Sequence, residues 1–439
     1  MNSVLAQNYL GRGFWGDEAW TSLISQLPFR DMLKTTAADF HPPAYYSIVE
    51  AVYKFLPPSE IVTRSISIFF FLATIFLVYL LASKFRGRTF GIITAATVAV
   101  NPIFFRYAFE ARNYTLFAMA ATGSIYFLLR LSDKFTKRSA VFFILFSTLG
   151  IYTHYYMFFT IAAEALYVLF FGRKIFLKML GLGMITGALY LPWVPFLVKQ
   201  VTSAGASYWI SPVNVRTHFE AFLRILAGEE DNAFKLPLFA ISIVLLIVGL
   251  YQHAVRRQFE KPYVLIWLWA VVPFVLATLP GLIIGDFKFP LRPLFFWRYL
   301  IGAAVPLSML MVHSAEKLPP RLFKISICAV LLLAILIDLR TFFSSPPSFR
   351  DVYKNEIIGK IAAGDQIVTV LPSFAEVVYY RDRNGIENPI TVLPEGLVHF
   401  SGKALLDTYV ENGLVDLAAT PSGRIFQMTP GQKLEVFEK

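Results

Sequence analysis

Ten apolar segments follow one another between residues 61 and 341, and a membrane-embedded helical bundle is the fold that satisfies the backbone of such a chain. They run at about 61–83, 89–105, 113–130, 139–153, 156–172, 179–198, 236–252, 263–284, 299–314 and 323–341. A bilayer core of roughly 30 Å takes ~20 helical residues, so some segments are short for a full crossing. Of 439 residues, 56% are apolar and 16% charged, against about 45–50% and about 25% in soluble domains. The excess lies in runs, so an enlarged soluble core does not account for it. The chain reads as an all-α polytopic membrane protein, not as a soluble enzyme, a disordered chain or a disulfide scaffold. Its single cysteine, Cys328, lies inside a run and can form no intramolecular disulfide. Residues 139–172 break only around Thr153-His154-Tyr155, which predicts a tight helical hairpin.

Charge then orients the spans. Lysine and arginine total 40 against 29 aspartates and glutamates, a net +11. In a soluble protein this would point to nucleic acid, but here the positives fall between spans. Alternate connections read KFRGR (84–88), RLSDKFTKR (130–138), GRKIFLK (172–178), HAVRRQFEK (253–261) and EKLPPRLFK (316–324), each with three or four basic residues. The positive-inside rule assigns all five to the cytoplasm. The connections 102–113, 154, 199–235 and 285–298, and both termini, then face outward. For a chain that begins outside without a preceding span, a first helix upstream of this sequence is the favoured expectation, and a short N-terminus translocated unaided is the alternative.

Three regions follow. Residues 1–60 read as an extracytoplasmic first loop. In it Asp39 is expected to cap a helix that starts at Pro42-Pro43, with Tyr45, Ile48, Val49, Val52, Tyr53 and Leu56 on one face along the membrane interface. Residues 61–341 form the transmembrane domain. Residues 342–439 are polar and read as a small α/β lobe outside the membrane. Its expected strands are QIVTVL (366–371), ITVL (390–393), RIFQM (424–428) and LEVF (434–437). A capping box is expected at Ser373-Phe-Ala-Glu376, and a helix near 402–411 ending at Gly413. The long loop 199–235, which holds Tyr208, Trp209, His218, Glu220, Glu229, Glu230 and Asp231, is expected to be partly mobile and to close over donor or acceptor.

Ionisable groups near membrane depth are costly and mark candidate sites. On the outer side they are Asp17 and Glu18 in GDEAW, His41 in HPPAYY, Arg64, then Arg106, Glu110, Arg112 and Tyr114 in FFRYAFEARNY. His154 in YTHYY, and Arg298 with Tyr299 in FWRYL, complete the set. Adjacent carboxylates beside several arginines suit a reaction on an anionic lipid. Arginine holds phosphate through charge-assisted hydrogen bonds. A carboxylate can take a proton from an attacking hydroxyl, while a cation stabilises the leaving phosphate. No glycine-rich phosphate loop or nucleotide fingerprint is present, which argues against a soluble nucleotide-sugar donor. Each residue also has a plain alternative. Arg64 and Arg298 could anchor spans at the interface, Glu110 and Arg112 could pair locally, and Trp15 and Trp20 could belong to an aromatic belt. No recognised ligand spacing supports a required metal, although a divalent ion is conceivable if Asp17, Glu18, His41, Glu110 and His154 converge.

The ordered series GDEAW, HPPAYYSI, TRSISIFF, NPIFFRYAFEARNYTLFA, YTHYYMFF and FWRYL resembles the bacterial and archaeal branch of the dolichyl-phosphate-mannose–protein mannosyltransferase family, glycosyltransferase family 39. The resemblance covers about residues 14–315. It implies a GT-C fold and transfer of a sugar from a polyprenyl-phosphate carrier at the outer face of the cell membrane. By resemblance Asp17 is the general base and Glu18 its helper. His41, Arg64, Arg106, Glu110, Arg112, Tyr114, His154, Arg298 and Tyr299 are then expected to bind substrate or donor phosphate. No cofactor is required by this reading. The acceptor would be a lipid, a glycan or a protein. A polytopic transporter or lipid flippase is the competing function; it predicts internal repeats and mid-membrane charges, whereas the charges assigned here stand at outer helix ends. A sensor or assembly protein would leave the motif series unexplained.

Overall fold

The computed structural model describes residues 8–203, 210, 213–254, 260–281, 283–284, 287–288, 294–344, 346–394, 402–409 and 423–438. Each of the ten apolar segments is helical over most of its described length. After three short helices, α1 (Gly16–Ser25), α2 (Phe29–Ala38) and α3 (Ala44–Tyr53), come α4 (Glu60–Arg86), α5 (Arg88–Ala99) and α6 (Pro102–Ala108). Then follow α7 (Tyr114–Asp133), α8 (Lys137–Ile151), α9 (Met157–Phe171), α10 (Phe176–Tyr190) and α11 (Val194–Ser203). The last spans are α13 (Lys235–Ala254), α14 (Lys261–Thr278), α15 (Ala304–Glu316) and α16 (Pro320–Phe342), with α12 (Val215–Ala227) before them. Among the described residues seven helices are long and apolar enough to cross a bilayer alone, and an eighth if α5 and α6 count as one broken span. The chain is a multi-pass membrane protein. Helix α7 and the segment leading through α15 are the most buried, whereas α10 and α16 show most of their surface outward. Leu177, Met184, Leu191 and Leu332 are exposed there, as lipid-facing side chains should be.

Local chemistry sets the breaks. The second span bends by 70° between α5 and α6. Pro102 cannot donate to the turn before it, and Asn101 caps the new helix by accepting from Phe104 N at 3.1 Å. The expected hairpin is present, with α8 and α9 joined through residues 152–156. The eighth span is shorter than expected: α14 gives way at Thr278 to a turn at 279–281 and a two-residue hairpin, β1 (Ile283–Ile284) and β2 (Phe287–Lys288).

The five basic loops share one end of the bundle, four through ion pairs and 172–178 through Lys178, which lies over the Phe135 ring at 4.7 Å. Lys84 pairs with Asp133, Arg86 with Glu260 and with Glu316 at 3.5 Å, and Lys317 with Glu260 at 3.0 Å. The candidate residues gather at the other end. Glu164 departs from the sequence picture of charges at helix ends. It lies midway along α9, buried beside Ser124 of α7.

The C-terminal lobe holds a four-stranded sheet ordered β4-β3-β5-β6, from β3 (Gln366–Val370), β4 (Ile390–Leu393), β5 (Ile425–Thr429) and β6 (Lys433–Phe437). All four strands match expectation. Strand β3 runs parallel to β4 and β5, and β6 turns back antiparallel. Two helices accompany the sheet, α17 (Phe349–Val352) and α18 (Phe374–Arg383). Near 402–411 the chain forms one 3-10 turn and the helical turn Leu406–Tyr409; Gly413, Tyr208 and Trp209 lie outside the described residues.

Residues 8–60 wedge between bundle and lobe. Phe14, Leu23, Tyr45 and Ile66 share one apolar cluster with Phe349, Tyr353 and Phe374. Tyr380 bridges the parts, accepting from Phe14 N at 2.6 Å and donating to Glu60 Oε1 at 3.0 Å. At Gly13 the two parts nearly touch: a Cβ there would lie 2.3 Å from Ser348 Oγ.

Four local expectations change. Helix α3 buries Tyr45, Tyr46 and Val49 against protein, and Phe55 and Leu56 are the exposed apolar residues. Asp39 does not cap α3; it closes α2. Ser373 makes no cap bond, because a 3-10 turn at Leu371–Ser373 runs straight into α18. The loop 199–235 is largely structured: Asn214 and Thr217 form a capping box for α12, which buries Ile225, Leu226 and Ala227. Removing 203–232 would therefore open the bundle as well as uncover a site.

Candidate active site

Asp17 and Glu18 occupy the first turn of α1, where successive side chains diverge by about 100°. Glu18 turns inward and is fully buried. It accepts from Arg64 Nε at 2.9 Å and Nη2 at 2.6 Å, and from Ala111 N at 2.9 Å. Arg64 spends its other protons on carbonyls, donating to Leu10 at 2.7 Å, Arg12 at 2.6 Å and Gly13 at 3.1 Å. Burial opposes the charge on Glu18, but Arg64 and Arg12 outweigh it and hold the carboxyl below its ordinary range. This closed pair fixes residues 10–18 against α4 and leaves no free edge for a substrate.

Asp17 turns the other way. Its side chain is 41% exposed, and its Oδ2 stands 3.5 Å from Arg298 Nη1 and 3.9 Å from Arg112 Nη2. Arg298 lies over the Trp15 ring at 5.2 Å. Arg112 also reaches the Asp17 carbonyl at 3.4 Å, Thr21 Oγ1 at 3.5 Å and His41 Nε2 at 3.2 Å. Burial, and then the Arg112 charge, push His41 well below its ordinary pKa, so it stays neutral and accepts.

These groups face a cavity of about 390 Å³. Trp15, Asp17 and Trp20 line it from α1, Asp39 and His41 from the α2–α3 turn, and Arg112 from the bundle. The lobe closes it with Phe349, Glu376 and Gln432. Burial raises Asp39 to about 7 and Glu376 to about 8, the latter with help from the charges of Asp17 and Glu18.

The other sequence candidates fall into two further groups. Arg106 stands 3.6 Å from Glu110 Oε1, 3.0 Å from Glu229 and 3.4 Å from Glu230. Glu110 also meets Arg12 at 3.5 Å and accepts from the Tyr9 hydroxyl at 3.2 Å. His154 lies in an aromatic nest, stacked on Phe117 at 5.0 Å, with Tyr299 at 5.5 Å and Tyr114 at 6.1 Å. Burial drops its pKa to about 3. Among the described residues no three histidine, cysteine, aspartate or glutamate side chains gather as metal ligands.

Residues 40–198 match the model of the family described as dolichyl-phosphate-mannose-protein mannosyltransferase. That stretch holds His41, Arg64, Arg106, Glu110, Arg112, Tyr114 and His154, and stops short of Asp17 and Arg298 at either side. Among solved structures the chain resembles apo ArnT from Cupriavidus metallidurans, with a TM-score of 0.66 at 13% identity, covering 95% of this chain and 89% of that one. ArnT bound to undecaprenyl phosphate gives 0.65 at 13% identity, over 97% and 91%. The chain has the GT-C fold. The resemblance to glycosyltransferase family 39 is borne out by the family match and the fold together. None of the curated protein sequences matches this GT-C chain.

Sequence reasoning missed Arg12 and above all Glu376 as neighbours of the site. Glu376 sits in a lobe helix 359 residues after Asp17, and only the tertiary fold brings it to the cavity. Trp15 and Trp20, read as belt residues, line the cavity instead. Their position beside the DE pair was the available signal.

Proposed function

We propose that this GT-C glycosyltransferase moves a sugar from a polyprenyl-phosphate carrier to an acceptor hydroxyl on the outer face of the membrane, with Asp17 as general base. The observation that carries the reading is Asp17 itself, a half-open carboxylate on a polar cavity wall with two arginines within 4 Å. The relative ArnT, of the same fold, binds undecaprenyl phosphate. Asp17 Oδ takes the proton of the acceptor hydroxyl as that oxygen attacks the anomeric carbon. The carbon–oxygen bond to phosphate breaks on the opposite face, and the electron pair leaves with the phosphate. Arg298 and Arg112, both beside Asp17, meet the charge that phosphate gains. One displacement inverts the anomeric centre. His41, held neutral, accepts from Arg112 and orients it. The scheme needs no cofactor, because arginine supplies the cations. The outward orientation rests on the five basic loops at the opposite end of the bundle.

The test incubates purified protein in lipid nanodiscs with radiolabelled polyprenyl-phosphate sugars and a host membrane extract, beside Asp17→Asn. General-base removal costs typically 10²–10⁴ in rate. Label is expected to move to a new product with the wild type and to fall at least a hundredfold with Asp17→Asn. Equal turnover by the variant would remove Asp17 from the mechanism, and no donor cleavage by folded wild type would refute glycosyl transfer.

A further inference from the structure

The C-terminal lobe supplies one wall of the Asp17 cavity, and that wall carries a carboxyl without a partner. Glu376 is 7% exposed and lines the cavity. Its oxygens accept no hydrogen bond among the described residues, and the cap it could have made with Ser373 is absent. Two donors share this condition. The indole N–H groups of Trp15 and Trp20 belong to residues lining the same cavity and are buried with no acceptor among the described residues. Buried polar groups in native proteins are normally satisfied, so two unpaired indoles beside an unbonded carboxyl on the wall of one cavity point to a ligand.

The chemistry of the wall narrows that ligand. Trp15, Trp20 and Phe349 offer aromatic surface, and Glu376 and the two indoles offer hydrogen bonds. The wall holds the Asp17 carboxylate, and its one basic side chain among the described residues, Arg112, is assigned to the donor phosphate, which disfavours an anionic acceptor there. A sugar ring has an apolar C–H face and an edge of hydroxyls that both donate and accept. The volume, about 390 Å³, falls in the range of ligand pockets, about 300–1,000 Å³.

We propose that this cavity is the acceptor subsite, that the accepting hydroxyl is carried on a sugar ring, and that Glu376 selects the acceptor by bonding a ring hydroxyl next to the attacking one. The inference rests on the glycosyl-transfer reading of the same site. Glu376, raised to about 8 by burial and by Asp17 and Glu18 of α1, keeps its proton at neutral pH and can donate as well as accept. Charged groups on its own helix and on α17 are engaged elsewhere: Arg383 with Glu60, Arg381 with Asp382, Arg350 with the Gly11 carbonyl and Asp351 with Ser348. The C-terminal lobe thus reads the acceptor, while the bundle and α1 hold the donor and the base.

The experiment uses the full chain in nanodiscs free of glycoside detergent. Saturation-transfer NMR follows a panel of methyl glycosides of hexoses, pentoses and amino sugars at millimolar concentration. Label transfer from the polyprenyl-phosphate sugars to membrane-extract acceptor is measured in parallel. Wild type is expected to bind at least one glycoside. Glu376→Ala should weaken that binding about tenfold or more and raise the acceptor KM similarly. Glu376→Gln, which still donates and accepts, should stay within a few-fold of wild type. Should the alanine variant lose its unfolding transition, Glu376→Leu tests the same loss with the volume filled. Binding of no glycoside by wild type, or equal binding and KM in the apolar variants, overturns the subsite. Glycoside binding without any donor cleavage leaves the subsite standing and overturns glycosyl transfer instead.

Discussion

Asp17 and Glu18 are neighbours in sequence with different surroundings, and one helical step separates them. The acidic pair and its arginines were legible because charge is rare in an apolar chain. Their division of labour was not, because it depends on which side of α1 faces Arg64. Removing one partner of a buried ion pair costs about 3–5 kcal/mol. Glu18→Leu should therefore lower the unfolding midpoint strongly, and Arg64→Met added to it should recover part of the loss. Differential scanning fluorimetry checks this, and an unchanged midpoint for Glu18→Leu would refute the structural role. Asp39 and Glu376 make a second residue-scale prediction. Burial raises their folded pKa values to about 7 and about 8, above those of an unfolded chain, about 3.9 and about 4.3. The folded state then binds more protons, so their contribution is complete below about pH 4 and lost as pH rises through 7 and 8. Wild type should lose thermal stability between pH 5 and 9, and the double variant Asp39→Asn, Glu376→Gln should show a flatter profile. A wild-type midpoint constant over that range would contradict the assignment.

At the scale of elements, the long spans and the strands were readable because their apolar periods are strong. Helix α12 was not, since its polar start and the exposed Val215 and Phe219 disguise it as loop. What seats it is local: Gly228 ends the helix at φ +86°, in the region that favours glycine, and a Cβ there would lie 2.9 Å from Pro102 Cβ. The turn that follows delivers Glu229 to Arg106 at 3.0 Å and to Arg224 at 3.4 Å. Gly228→Ala meets both the dihedral and the contact, so it should shift this turn and loosen α12 from α6. Limited proteolysis is expected to cut near 228–234 faster in the variant, and transfer should drop several-fold. Identical cleavage kinetics would show that the turn tolerates a side chain. The failed capping box at Ser373 teaches the same lesson in reverse. A motif that fits locally yields when the preceding turn already supplies the helix start and the cavity takes the glutamate.

For the whole molecule, the division into two ends is a finding, and its orientation is an inference from charge. The loops around 84–88, 133, 260 and 316–317 are tied to one another by ion pairs, so they share one side of the membrane. The lobe and the Asp17 cavity share the other, tied together by Tyr380, Glu60 and Arg383. Because each set is bound together, a single labelled residue reports for its entire end. Cys328 is exposed on a spanning helix and must first be replaced, for example by alanine. Single cysteines can then be placed at Glu387 in the lobe and at Lys174 in a basic loop, both exposed. A membrane-impermeant maleimide applied to intact cells should label the cysteine at 387, and the one at 174 only after lysis. The reverse pattern would put the cavity in the cytoplasm and the basic loops outside, against the positive-inside rule, and would overturn the outward-facing reading. Labelling at both positions in intact cells would show that the two ends do not lie on opposite sides of one bilayer, and the bundle itself would then need a different insertion.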